Sequence, residues 1–584
     1  METSLKKNKL GWFQLFIFFG IILIMYFLIS FVLLPNLSVL EATFIKDGKF
    51  TLSAFEKIVK SKRVMESLQN SFLLALTLPL LTSLIGIFQV LFIDYFDIKG
   101  RKLLMLCYLV PLVFGGLLIN NGYIFAYGPN GIFTNLASNF FSEINTYWFQ
   151  GYYAVLIAMS FGCTTNYMMF FRNVLNTIDF HTVEAGKNLG ASQWSILKKI
   201  VLPQVRPMIV TCIVLLFQQG LGAMAAPLIL GGKDFQTITP LILTLAGRPS
   251  SRDIAAILAI IQGVFSIGVL LIIQKMEKGK NFMSISKTKA RLERQRIANK
   301  GLNLLAHSIA YLLALLNAIP FVSVILFSFT DYQTIGNGRI GFDSFTLDNY
   351  KSILMDPSAY SPFITSVFYA FIAAFAVALI AMFIGRVSHK HRNKIVEGVE
   401  LLIYLPWILP GILFALGLIL LYSVPQFWIN YQVLTGGYLI LLIAYIVVML
   451  PNTYRFTRTA YFGVNQDLED AAQNLGANNF YTFSRIVLPV IIPTVLALFA
   501  LNFNGKLGEY ELAAFLFHPL KPTLGIVIRQ NADPTARIDA KAINLVYSVL
   551  LIVINILVVW FVYYDGIGQM KKWFNKRTLL NGDK

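Results

Sequence analysis

Charge is scarce in this chain: Asp, Glu, Lys and Arg make up 13% of its 584 residues, while 57% are hydrophobic, and the mean hydropathy is +0.67. A soluble domain of this length needs far less apolar surface to fill its core, so a purely aqueous protein is excluded. Cysteine is rarer still. Cys107, Cys163 and Cys212 show neither metal-ligand spacing nor a secreted pairing pattern, and all lie in or near apolar stretches, where they read as small core residues. Of the five histidines, His389 and His391 flank Lys390 at a span end, and His181, His307 and His518 are scattered. That arrangement reads as interfacial placement rather than metal ligation. No segment fits GxxxxGK followed by Ser or Thr, the loop that cradles phosphates, so the chain is expected to bind neither ATP nor any other cofactor itself. The lack of a histidine cluster or nucleophile signature also speaks against an integral membrane enzyme.

What is present is apolar length. About 30 Å of hydrocarbon takes roughly 20 apolar residues per helix, and about a dozen such stretches run from Trp12–Leu34 to Ile543–Tyr563. The expected fold is an all-α polytopic membrane protein with about twelve transmembrane helices, in contact with a lipid bilayer. The first stretch is too long for a signal peptide and is read as a retained helix. With the N-terminus cytoplasmic, 32 of the 48 Lys and Arg fall in cytoplasmic segments, the bias expected of membrane proteins. Both termini are therefore expected in the cytoplasm. This distribution also removes nucleic acid as the reason for the net charge of +19.

An internal repeat organises the chain. Glu184–Pro207 reads EAGKNLGASQWSILKKIVLPQVRP, and Asp470–Pro493 reads DAAQNLGANNFYTFSRIVLPVIIP; ten of the 24 aligned positions are identical at an offset of 286 residues. Arg172 aligns with Arg458, Asn166 with Asn452, and Gly151-Tyr152 with Gly437-Tyr438. The expected organisation is a six-helix domain over residues 1–285, a basic cytoplasmic linker over 286–301 and a second six-helix domain over 302–584. With an even number of spans in each, the halves are parallel repeats about an axis along the membrane normal.

Each repeated loop is expected to form a short helix, a glycine turn and a second amphipathic helix. Glu184 and Asp470 suit the first turn of a helix, where the dipole favours negative charge, and Gly190 and Gly476 suit a tight turn. Trp194, Leu197 and Val201 recur at helical spacing, as do Phe480, Phe483 and Val487, with Lys198, Lys199 and Arg485 on the other face. Pro203 and Pro489 are expected to stop that helix, and Pro207 and Pro493 to sit where the next span begins. The product is a rigid knob carrying an aromatic residue, suited to a partner's groove. The alternative is a helix lying on the membrane or against its own bundle.

These residues resemble the EAA loop of binding-protein-dependent ABC permeases: an acidic residue, two alanines, three residues, Gly, nine residues, Ile, one residue, Leu-Pro. Glu184, Ala185, Gly190, Ile200, Leu202 and Pro203 match in the first copy, with Gly186 in place of the second alanine. Ala471, Ala472, Gly476, Ile486, Leu488 and Pro489 match in the second, with Asp470 in place of Glu. The resemblance implies a type I importer permease whose two loops each dock one copy of an ABC ATPase subunit. ATP and Mg would then belong to those subunits, an external solute-binding protein would deliver substrate, and the location would be the bacterial cytoplasmic membrane.

Charges within a span are costly and are functional candidates by default. Lys506, Glu509 and Glu511 lie within the eleventh span or at its external end, and Gln218 and Gln219 occupy the corresponding first-half segment. They are expected to line the translocation path; the other reading is a structural cluster of mutual pairs. Pro111, Pro406 and Pro410 are expected to mark kinks or breaks along the path. Asn188–Ala191 and Asn474–Ala477, both Asn-Leu-Gly-Ala, are similar to permeases for ferric iron, polyamines, phosphonates, sulfate or thiamine, and fusion of the halves resembles the ferric-iron and thiamine branches most. Ferric iron is the favoured substrate, with thiamine, aminoalkylphosphonate or polyamine as alternatives. A twelve-helix secondary transporter is the more distant reading; it gives no reason for the paired loops.

Overall fold

The computed structural model describes residues 12–46, 48–113, 116–141, 145–176, 178–277, 293–390, 393–533 and 535–562. Both chain termini, His391 and the expected domain boundary at 285/286 lie outside them. Apart from a two-stranded ribbon pairing Ile45–Lys46 with Lys49–Phe50, the described regular structure is helical, as a bilayer without water to satisfy backbone groups demands.

Among the described residues ten helices are long and apolar enough to cross a membrane, and two further pairs are bent, Arg101–Leu112 with Gly116–Ser138 at 113° and Lys394–Trp407 with Gly411–Tyr422 at 106°. Chain direction shows that each pair makes one crossing. The second span, Lys62–Tyr95, ends where Asp97 pairs with the 295–296 segment, which also touches Gln193 of the first repeated loop. That loop follows the far end of the fourth span, Tyr152–Leu175, so residues 101–151 must traverse the bundle. In the second half, Arg386 and Lys390 hold the other repeated loop through Glu469, and the same reasoning carries residues 394–437 across. With each bent pair as one span, the described residues make twelve crossings. Both bends follow prolines, Pro111 in one case and Pro406 and Pro410 in the other, where a missing N–H and ring sterics weaken the helix.

The first span of each half packs on the third of the other. Gly417 lies so close to the first span that a Cβ there would stand 2.3 Å from the Pro35 carbonyl oxygen, and Tyr422 donates to the Ser30 carbonyl at 2.7 Å. The reciprocal contact places Gly122 against Pro320, 2.4 Å from a hypothetical Cβ to the carbonyl oxygen, with Tyr108 donating to the Ala310 carbonyl at 2.7 Å. Small residues allow such backbone approach where lipid supplies no hydrophobic drive. The halves are thus interlocked through exchanged helices. Gly417→Val is expected to destabilise the detergent-solubilised protein by about 2 kcal/mol through overpacking, seen as a lowered midpoint in thermal unfolding; an unchanged midpoint would sink the claim of close packing.

Candidate functional site

The two repeated loops fold alike. Phe180–Asn188 and Gln466–Asn474 are short helices, capped by Asp179 accepting from the His181 N–H and Asn465 accepting from the Asp467 N–H. Each ends in a paired backbone closure: Gly190 N–H to Lys187 and Ala191 N–H to Gly186, then Gly476 N–H to Gln473 and Ala477 N–H to Ala472. That closure requires a left-handed residue, and Gly190 and Gly476 have φ of +78° and +87°. A Cβ at either would meet nothing within 4 Å, so glycine is needed for its torsion, not for space. Ser192 and Asn478 then cap the next helix by accepting from the Ser195 and Tyr481 N–H groups.

That next helix does not stop at Pro203 or Pro489, contrary to expectation. It passes through a wide π turn, Leu197–Val201 in one half and Phe483–Val487 in the other, and continues to Leu221 and Leu507. Leu202 N–H reaches back to Leu197 and Leu488 N–H to Phe483. The extra residue in the turn carries the backbone past a proline that offers no N–H.

The expected apolar stripe is divided between two faces. Trp194 is 69% exposed while Leu197 is 3% exposed, Phe480 is 72% exposed, and Val201 and Val487 are buried. Leu197 and Val201 face inward with Val183, and Phe483, half-buried, lies 5.8 Å from the Arg386 guanidinium. The outward apolar surface is instead Trp194 with Leu189 (87% exposed) and Phe480 with Leu475 (90% exposed). Leu189 and Leu475 were missed by sequence reasoning. Their signal was an apolar residue just before each turn glycine. Glu184, Ala185, Asp470, Ala471, Pro203 and Pro489 are exposed, and Ile200, Ile486, Leu202 and Leu488 are half-buried at the root of the knob.

The Gly186 departure has a packing cause. A Cβ there would sit 2.8 Å from Ile200 and 3.4 Å from Ile196. In the second copy Ala472 takes the place of Gly186 and the smaller Thr482 that of Ile196. Sequence reasoning also missed Glu469, the neighbour of Asp470. It is buried and makes a bidentate pair with Arg386 at 2.7 and 2.6 Å, with Lys390 at 3.1 Å; Val183 holds the same place in the first half. Arg172 and Arg458 each meet a carboxylate, Asp94 and Glu400, although these come from different spans.

Gln218, Gln219, Lys506, Glu509 and Glu511 come together around one cavity of about 690 Å³, which Pro111, Pro410 and Cys163 also line. Cys163 is therefore not only a packing residue. The cluster lies well inside the bundle: Gln219 accepts from Asn166, midway along the fourth span, at 3.2 Å, and the Lys506 ammonium lies 5.1 Å over the Tyr445 ring, two turns into the tenth. Glu509 accepts from the Leu512 N–H at 2.7 Å and the Ala513 N–H at 3.3 Å. Glu511 is exposed to the cavity. One wall is thus acidic and the other is built of amides. Among the described residues no group of three or more His, Cys, Asp or Glu is placed to hold a metal ion.

Twelve crossings in two repeats, paired protruding loops and a polar cavity between the halves define a multi-pass membrane permease. Residues 50–278 and 379–564 match the family described as binding-protein-dependent transport system inner membrane component, and this chain belongs to that family of ABC importer permeases. It is 33% identical over 562 residues to a probable ABC transporter permease protein, y4fN, of Sinorhizobium fredii, covering 95% of this chain and 97% of that one. It is 21% identical over 516 residues to a putative ferric transport system permease protein of Haemophilus influenzae, covering 88% and 80%. Over 256 residues it is 23% identical to a putative 2-aminoethylphosphonate transport system permease protein of Salmonella choleraesuis, covering 44% and 90%.

Proposed function

We propose that this chain is the fused permease of an importer that moves ferric iron, delivered by an external solute-binding protein and driven by two copies of an ABC ATPase subunit seated on the Leu189–Trp194 and Leu475–Phe480 knobs. ATP and Mg belong to those subunits, and both termini lie on their side, the cytoplasm. Closure of the ATPases draws the knobs together and rocks the interlocked halves, changing the side to which the cavity opens. The observation that carries the substrate reading is the cavity wall: two carboxylates against one ammonium, with amides opposite, favour a cation over an oxyanion. The ferric relatives matched along most of this chain support it; the phosphonate relative, 90% of whose own length is matched, corresponds to one half of the chain. Thiamine and polyamine, also cationic, are the next candidates, and aminoalkylphosphonate the last.

The test is ATP-driven uptake of ferric iron by proteoliposomes holding the chain, its ATPase and its binding protein. A Gly190→Pro, Gly476→Pro pair places φ near −65° where about +80° is needed, a cost on the order of 3 kcal/mol per loop. Uptake in that variant is expected to fall at least about 100-fold, as a cost of this size implies, with the membrane bundle still folded. Uptake without nucleotide would favour a secondary transporter. ATP hydrolysis coupled to binding protein without iron movement would keep the permease reading and pass the substrate to thiamine or polyamine.

A further inference from the structure

A second cavity, about 480 Å³, opens on the face away from the repeated loops. The first half lines it with Asn121, Tyr147 and Gln150, the second with Asn531, Lys541 and Asn544. Two of these lining side chains, one from each half, have unmet hydrogen-bonding capacity. Asn121 and Asn544 are each 2% exposed, and the Asn121 Nδ2 and Asn544 Oδ1 atoms have no protein partner. Buried amide atoms left this way are costly unless something completes them. One is a donor and the other an acceptor, and each belongs to a residue bordering a chamber large enough for a solute.

The wall between the two cavities is thin. Asn120 lines the central cavity and its neighbour Asn121 the outer chamber, both on the helix Gly116–Tyr127. The helix Ala225–Leu230 packs on it and is divided likewise, with Ala225 and Ala226 facing the central cavity and Ile229 and Leu230 the chamber. Chemistry changes across this wall. The central cavity carries Glu509 and Glu511, whereas no Asp or Glu is among the described residues that line the chamber.

We propose that the outer chamber is a separate binding station, holding the solute by its oxygen shell, water or oxyanion, before it passes the Asn120–Asn121 wall to the carboxylates. This rests on the cation reading above: a highly charged cation travels with oxygen ligands, and the amide, hydroxyl and Lys541 ammonium groups of the chamber donate to that shell while carboxylates recognise the ion. The chamber's lining suits the shell and the central lining suits the ion.

The test uses the assembled complex, with the three native cysteines replaced by serine and a single cysteine introduced at a lining position with exposed surface, as Gln150→Cys or Asn531→Cys. Both are expected to react with a membrane-impermeant thiol reagent added on the chamber side. Ferric-loaded binding protein is expected to slow that reaction about ten-fold more than unloaded binding protein, as near-saturating occupancy requires. Lack of reaction at both positions overturns the chamber, and equal slowing by loaded and unloaded binding protein overturns its occupancy by solute. Slowing by thiamine- or polyamine-loaded binding protein but not by the ferric form keeps the station and overturns the ferric assignment. Stronger slowing with phosphate present assigns the shell to an oxyanion, and equal slowing assigns it to water. Where a cysteine variant does not assemble, Asn121→Ser and Asn544→Ser replace it: a rise in the Michaelis constant for uptake supports the station, and an unchanged constant in both overturns it.

Discussion

Replacing Glu469 by alanine is expected to cost the protein about 3 kcal/mol of stability, the penalty for breaking a buried ion pair from one side. The variant leaves Arg386 without its bidentate partner and removes the carboxylate that Lys390 also meets. Because Arg386 also lies against Phe483, the loss loosens the second knob at two points, whereas the first knob, with Val183 in that place, has no such pair to lose. The pH dependence has a definite sign. Glu469 belongs to the loop outside the membrane, and its hydrogen bonds with Arg386 hold its carboxyl at about 2, below its ordinary 4.5. A depressed carboxylate contributes stability that is complete above the unfolded value and is lost as pH falls through the folded one. The parent should therefore lose about 3 kcal/mol between pH 4.5 and about 2 that the alanine variant has already lost. Thermal midpoints of both across that range are the measurement, and parallel curves would show that the pair does not hold the loop.

The span count, the repeat, the turn glycines and the polar cluster were legible because each leaves a local mark: an apolar run, a duplicated string, a glycine between periodic segments, a charge where lipid forbids one. What escaped was set by geometry between distant segments. The π turns that carry each helix past Pro203 and Pro489 leave no mark in spacing, and Trp194 and Leu197, three residues apart and so read as one face, separate because only Leu197 packs inward with Val183. Glu469 gains its role from Arg386, 83 residues away, and no local pattern marks an acidic residue beside another as the buried one. The exchange of first spans rests on Gly417 and Gly122 meeting Pro35 and Pro320, contacts that join opposite halves. Gly186 read only as a departure from the motif's second alanine, and its cause lies in Ile200 and Ile196, which fill the space its side chain would take.

The central cavity makes the second large prediction, because its charges act in opposite directions on cation and anion. Glu511→Gln keeps shape while removing one negative charge that faces the cavity. Glu509→Gln keeps an oxygen for the Leu512 N–H but sets an amide nitrogen against the Ala513 N–H, which the second carboxylate oxygen accepts, so Glu511→Gln is the cleaner test of charge. At an effective dielectric of about 20, a unit charge 4 Å from another contributes about 4 kcal/mol, and a trivalent ion feels more. Ferric uptake is therefore expected to fall at least about 100-fold in either variant, a loss of about 3 kcal/mol. Lys506→Met acts the other way: it removes the positive charge beside Tyr445, and for a cationic solute uptake should hold or rise. For an oxyanion the pattern inverts, with Lys506→Met abolishing transport and the glutamine variants sparing it. Uptake measured in all three variants thus reads the sign of the transported charge directly, and the inverted pattern would remove ferric iron as the substrate whatever the ATP requirement proves to be.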